Sequence, residues 1–164
     1  MIQNKEELAL AAAAAVEQVK AYDCRILVCS GTGCIATGSN NIHALFENLV
    51  KDTPGVDLVF SPCGGHHEDA AVGVKKTGCQ GFCELGPLVR IQKGDQVIQY
   101  VRVQPDDCQE ILEKSVIGYE IIDRLLYKKG EEAYVSPDEI PFIAKQTRIV
   151  LENCGKFDAE SLDE

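Results

Sequence analysis

Eight cysteines stand in a chain of 164 residues, and four of them fall into two spaced pairs. Cys29 and Cys34 enclose SGTG, and Cys79 and Cys83 enclose QGF, with 44 residues between the pairs. Each pair lies in a glycine-containing loop, with Gly31 and Gly33 in the first and Gly78 and Gly81 in the second. Glycine lets a backbone curl tightly enough for two sulfurs of one loop to face one centre. It also leaves backbone N–H groups free to donate to sulfur. Four thiolates offered two by two can hold a [2Fe–2S] cluster, one pair on each iron. Zinc accepts four thiolates as well, but structural zinc knuckles favour C-x2-C, a spacing found nowhere in the chain. C-x-x-C is also the usual signature of thiol–disulfide exchange. The pattern differs in turn from plant-type ferredoxin, where three ligands fall close together.

Cys24 also precedes Cys29 by four intervening residues. Arg25 to Val28 reads as a strand, and five residues at about 3.3 Å each would hold the two cysteines roughly 16 Å apart. Cys24 is therefore read as a small apolar residue at a strand start, and Cys108 and Cys154 likewise as structural. Cys63, His66 and His67 occur in SPCGGHHED with Glu68 and Asp69, a set with metal-binding side chains. The favoured reading there is a polar turn before a helix start, where acidic residues suit the dipole.

A scaffold must bring the two loops together. Arg25 to Val28 is a β-type run leading into Cys29. Asn40 is a candidate cap for a helix over residues 41–51 with Ile42, Leu45, Phe46 and Leu49 apolar. Residues 56–60 read as a second strand and 68–76, EDAAVGVKK, as a weakly patterned helix. Residues 87–91 and 97–101 read as strands joined by a turn at Lys93-Gly94-Asp95. A helix opens at Gln104-Pro105, with Ile111, Leu112 and Val116 apolar. The order β-α-β-α-β-β-α predicts an α/β domain with a four-stranded mixed sheet flanked by helices. A thioredoxin-like fold has that order, and other α/β sandwiches share it. Residues 119–136 read as a helix and a charged connector, and residues 137–164 carry a mixed helical pattern through Ile149, Val150 and Leu151.

Sixteen basic and 26 acidic side chains give a net charge of −10. Such a surface repels phosphate backbones and anionic lipid, so nucleic acid and membrane surfaces are poor partners. No window approaches the ~20 apolar residues of a membrane helix. The longest apolar run, LALAAAAAV from Leu8, follows NKEE, whereas a secretory leader needs a basic start. The expectation is an N-terminal Ala-rich helix and a cytoplasmic, reducing setting in which thiols serve metal or redox chemistry.

Cys29-x4-Cys34 and Cys79-x3-Cys83, followed by Glu84-Leu-Gly-Pro-Leu-Val89, resemble the thioredoxin-like [2Fe–2S] ferredoxin family. VCSGTGC, KKTGCQGFCELGPLV and the tail PFIAKQTRIVLENCGKFDAESLDE resemble one branch of it. That branch is the amino-terminal domain of NADH-binding flavoprotein subunits in multimeric [FeFe]-hydrogenases and related electron-bifurcating oxidoreductases, akin to a complex I subunit. The resemblance spans residues 23–164. It implies a cluster on Cys29, Cys34, Cys79 and Cys83, one-electron transfer, and partners among NADH-binding flavoprotein domains and other iron–sulfur subunits. It divides the chain into an N-terminal helix (1–22), a thioredoxin-like [2Fe–2S] domain (23–118) and a helical connector (119–164) leading toward a truncated or absent flavin- and NADH-binding domain. That domain needs a Gly-rich loop and further cysteines, and neither occurs before Glu164. FMN and NADH are thus expected only on a continuing domain or a partner subunit, with no complete catalytic site in this chain. A zinc-stabilised interaction module and a thiol–disulfide oxidoreductase are the competing readings. With all-thiolate ligation, a net charge of −10 and Glu84 beside a ligand, the expected potential is low, nearer roughly −400 mV than the Rieske range.

Overall fold

The computed structural model describes residues 4–20, 22–59 and 70–158, with the backbone alone for 15–20. Cys63, His66 and His67 lie outside the described residues.

The run CRILVC forms β1 (Cys24–Cys29), buried along its whole length. A strand of that kind belongs in the middle of a sheet, covered on both faces. On one side it pairs in parallel with β3 (Ala70–Thr77), and on the other antiparallel with β4 (Val89–Lys93). β2 (Val56–Leu58) joins β3 in parallel, and β5 (Gln96–Tyr100) joins β4 antiparallel. The sheet order is β2-β3-β1-β4-β5.

Period-two alternation gives the sheet two unlike faces. Cys24, Ile26, Val28, Val72, Val74, Val89, Ile91 and Tyr100 form the apolar face. Helix α3 (Ser39–Asp52) lays Ile42, Phe46 and Val50, spaced four apart, on that core. Beside it run α4 (Asp107–Glu110) and its π-wound continuation Ile111–Ile117, which bury Cys108, Ile111, Leu112 and Val116. The other face carries Arg25, Leu27, Lys75, Arg90 and Gln99, all buried. The C-terminal segment covers part of it. Arg25 donates to the Lys156 carbonyl at 3.3 Å and Arg90 to the Gly155 carbonyl at 3.1 Å. A bridge joins Thr77 to Asp158.

The architecture is the expected α/β one, with four local differences. Among the described residues the sheet has five strands and not four, because residues 70–77 form strand β3 and not part of a helix. Alanine, lysine and glutamate suggested helix, but Val72 and Val74 alternate and β1 supplies a ladder partner, so context overrides propensity. Gly73 permits this pairing to be covered: a Cβ there would lie 2.7 Å from Tyr22 Cε1. Helix α3 starts after Gly38, in the left-handed region at φ 100°, and not at an Asn40 cap. Residues 119–136 form no α-helix. They hold a 3-10 turn (Asp123–Leu125) and the hairpin β6 (Tyr127–Lys129) and β7 (Glu132–Tyr134), turning at Gly130. Among its described residues the tail has only a 3-10 turn (Pro137–Glu139) and the short α5 (Pro141–Ala144), and Ile149, Val150 and Leu151 lie exposed in turns.

The Ala-rich segment does form a helix, α1 (Lys5–Lys20). The Glu7 N–H donates to Asn4 Oδ1 at 2.8 Å and so ties down its first turn. Leu8 and Leu10 are exposed. Among the described residues no helix is long and apolar enough to cross a membrane.

Candidate metal centre

Parallel pairing of β1 and β3 decides where the cysteines go. Cys29 and Thr77 are register partners, each the last residue of its strand. The chain therefore leaves both strands at the same end of the sheet, into Ser30–Gly33 on one side and Gly78–Phe82 on the other. The first loop closes with α2 (Thr32–Ala36), which carries Cys34. The second closes with the 3-10 turn Cys83–Leu85.

The loops are interleaved at their glycines. A Cβ at Gly31 would lie 3.1 Å from Cys79 Cβ and 3.2 Å from its Sγ. One at Gly33 would lie 3.3 Å from Cys83 Cβ, and one at Gly86 would lie 2.7 Å from Cys34 Sγ. A Cβ at Gly86 would collide, and one at Gly31 or Gly33 would push its neighbour away by a few tenths of an ångström, so glycine suits all three positions. Each cysteine of the second loop thus rests on a glycine of the first.

The four sulfurs stand as an inner and an outer pair. Cys29 and Cys34 are wholly buried, whereas Cys79 and Cys83 are exposed with their Sγ atoms 3.5 Å apart. Among the described residues no three or more His, Cys, Asp or Glu gather into a group able to hold a metal ion. Backbone N–H groups reach the sulfurs: Gln80 donates to Cys29 Sγ at 3.5 Å and Gly81 to Cys79 Sγ at 3.4 Å. A bond from Cys34 and, against the cost of burial, the N–H groups of Gln80 and Gly31 bring the Cys29 thiol down to about 6. The same bond pushes Cys34 up, and the bond with Cys79 pushes Cys83 up.

Of the other described cysteines, Cys24 and Cys108 lie away from the two loops. Cys24 sits at the far end of β1 from Cys29, and burial pushes its thiol up to about 12. Cys108 is in the helical core and is likewise raised to about 12 by burial. Cys154, half-buried, has its Sγ 3.7 Å from where a Gly78 Cβ would be. The strand between Cys24 and Cys29 is present, so these two do not meet.

Behind the second loop runs a chain of buried polar groups that spacing arguments missed. Gln80, between two cysteines, is fully buried and donates to the Leu27 carbonyl and to Thr77 Oγ1, both at 3.2 Å. Gln99 donates to Gln80 Oε1 at 3.3 Å, and Arg90 Nε donates to Gln99 Oε1 at 2.9 Å. Arg148, from the tail, donates to the Gln80 carbonyl at 3.4 Å. The available sign was polar residues alternating with Val89, Ile91, Ile98 and Tyr100 on paired strands. Arg90 and Gln99 are register partners, so a polar position faces a polar position inside the sheet.

A family profile described as thioredoxin-like [2Fe-2S] ferredoxin matches residues 15–116. The chain belongs to the thioredoxin-like [2Fe–2S] ferredoxin family. A [2Fe–2S] cluster and electron transfer through it come with that membership. Among similar proteins, a 2Fe-2S ferredoxin from Aquifex aeolicus is 36% identical over 100 residues, which cover 60% of this chain and 76% of the relative. A 2Fe-2S ferredoxin from Clostridium pasteurianum is 29% identical over 100 residues, covering 61% and 91%. A solved cysteine-to-serine variant of the Aquifex aeolicus thioredoxin-like [2Fe-2S] ferredoxin superposes with a TM-score of 0.51 at 24% identity, over 65% of this chain and 99% of that one. That likeness carries the fold. The donor set in this ferredoxin fits the cluster: four thiols in two pairs, with N–H donors already aimed at two of the sulfurs.

Proposed function

We propose that Cys29, Cys34, Cys79 and Cys83 ligate the [2Fe–2S] cluster and that the chain is a one-electron module of an NADH-linked multisubunit oxidoreductase, hydrogenase-like or complex I-like. The observation that supports the ligand set is the seating of Cys79 and Cys83 on Gly31 and Gly33. When bound, the cluster supplies a one-electron couple. The chain holds the inner sulfurs away from water, aims Gln80 and Gly81 N–H groups at the sulfurs, and leaves the outer pair at the surface, where an electron can pass over a short distance.

The NADH-linked setting rests on the phrases VCSGTGC, KKTGCQGFCELGPLV and PFIAKQTRIVLENCG. On this reading residues 1–22 are an accessory helix, 23–118 the cluster domain, and 119–164 a connector toward a flavin- and NADH-binding domain. FMN and NADH then belong to that continuing domain or to a partner flavoprotein subunit, and other iron–sulfur subunits take the electron onward. The compartment is the reducing cytoplasm.

Iron and acid-labile sulfide analysis of anaerobically purified protein tests the cluster, with two of each expected per chain. Zinc, or no metal, would favour an interaction module or a thiol oxidoreductase. Cys29→Ser, Cys34→Ser, Cys79→Ser and Cys83→Ser, made singly, should each impair the visible spectrum and the spin-one-half EPR signal of the reduced protein. Cys24→Ser, Cys108→Ser and Cys154→Ser should retain both. Full retention after loss of Cys79 and Cys83 together would sink the ligand assignment. NADH alone should leave the cluster oxidised, and dithionite or NADH with a partner flavoprotein should bleach it.

A further inference from the structure

The buried polar chain ends on two cations. Arg90 is 7% exposed, yet its bonds go to neutral acceptors, Gln99 Oε1 and the Gly155 carbonyl. Arg148 is part-buried and bonds to Gln146 Oε1 at 3.3 Å and to the Gln80 carbonyl at 3.4 Å. Among the described residues neither guanidinium pairs with a carboxylate. Asp138 and Glu152 line the same cleft, of about 370 Å³, without bonding to either.

Two cations side by side repel, and burying one is expensive unless an opposite charge offsets it. Asp138 offsets part of that charge from the cleft, and the cysteine site is a second anionic group acting on Arg90. Arg148 lies against the bare face of Gly81, with its Cζ 3.1 Å from where a Cβ would be. Gly81 is two residues from both Cys79 and Cys83. Arg90 connects to the same loop through Gln99 and Gln80, and Gln80 N–H touches Cys29. Burial and the charge of Arg148 lower Arg90 to about 10, while Cys29 and Asp138 work the other way. It stays a cation at neutral pH.

We propose that Arg148 and Arg90 are positioning cations of the [2Fe–2S] centre, which raise its reduction potential by offsetting the negative charge of four thiolates from the protein side. The proposal rests on the ligand assignment above. An all-thiolate cluster goes from −2 to −3 on taking one electron; no bond breaks, and no proton need move. A fixed cation beside it favours the more negative state. The acidic surface of the chain acts in the opposite direction, Glu84 from beside a ligand and the rest from farther away through more water. Arg148 comes from the tail, outside the residues that match the family profile. The tail therefore supplies a charge that the matched segment lacks.

Redox titration of cluster-loaded protein, monitored by EPR, tests this with Arg148→Gln, Arg148→Lys, Arg90→Gln and Arg90→Lys. Each neutral variant should lower the midpoint, a fall of about three- to tenfold in the one-electron equilibrium constant, tenfold being 59 mV. Each lysine variant should stay closer to the parent than its glutamine counterpart. If one neutral variant fails to load, the other carries the test. The visible spectrum and iron content of the same samples report on the cluster itself, so a parent without a cluster refutes the ligand assignment separately. A loaded Arg148→Gln protein with the parent midpoint, or a lysine variant displaced as far as its glutamine counterpart, would overturn the proposal.

Discussion

Gly31→Ala probes the contact on which the site is built. The backbone of Gly31, at φ −64° and ψ 149°, suits alanine, so the change acts through space alone. The new methyl would stand 3.1 Å from Cys79 Cβ, 3.2 Å from Sγ and 3.3 Å from Cα. Carbon contacts are comfortable near 3.5–4.0 Å, so the loops must part by about 0.5 Å. Two of the three contacted atoms are close to the main chain, and rotating the cysteine does not relieve them. Overpacking of this kind costs about 1–3 kcal/mol. Lost freedom of the unfolded chain returns about 0.4–1 kcal/mol. The iron-free fold should therefore lose about 0–2.5 kcal/mol, and at about 2–4 °C per kcal/mol its Tm falls by about 10 °C at most. Metal coordination is far stricter, with tolerances of about 0.2 Å in ligand distance. Parting the loops by more than that should cost cluster occupancy, or alter the EPR g-values, well before it costs folding. Iron content and EPR of the reduced protein, beside CD melting of the iron-free form, separate the two effects. A variant that loads fully with an unchanged EPR signal would refute the claim that the seating of Cys79 on Gly31 holds the two cysteine loops in ligand geometry.

Burial of Cys24 and Cys108 makes stability fall in alkali. Both thiols are raised from 9.0 to about 12 in the folded state, so the unfolded chain loses its protons first. Stability should drop as pH rises from about 9 toward 12, and a Cys24→Ala, Cys108→Ala double variant should show a flatter profile in urea titrations across that range. Gly73→Ala, which sets a methyl 2.7 Å from Tyr22 Cε1, should cost about 1–3 kcal/mol in denaturant titration. Its visible spectrum should not change once loaded, because Gly73 lies four residues short of the end of β3.

The sequence was most informative where one local rule sufficed. Cys29-x4-Cys34 and Cys79-x3-Cys83 exposed the candidate ligands, and Arg25 to Val28 showed β1, which separates Cys24 from Cys29. The hairpin around Gly94 was legible too, because alternation and a turn residue agreed. Residues 70–77 misled, since their helix-forming composition is outweighed by a ladder to β1 that no local window contains. The tail misled for a similar reason. Ile149, Val150 and Leu151 suggested a helix face, but the segment is held by main-chain carbonyls of Gly155 and Lys156 that receive Arg90 and Arg25. Carbonyls leave no mark in a sequence. Arg90 and Arg148 were invisible for the same reason: one is an arginine in a strand and the other an arginine in a tail, until folding sets both behind the second loop.

The register of two parallel strands also bears on how such centres can be recognised and how they tolerate change. Because Cys29 and Thr77 end neighbouring strands side by side, the distance between the cysteine pairs is set by one ladder step and not by the length of chain between them. Of the 44 intervening residues, those before β3 can gain or lose an insertion without moving any sulfur, provided β3 keeps its register. A one-residue deletion between Thr77 and Cys79 has no such freedom. The spacing within each pair, and the count from strand end to first cysteine, are therefore the invariants to search for in distant sequences, while the gap between the pairs can be left open.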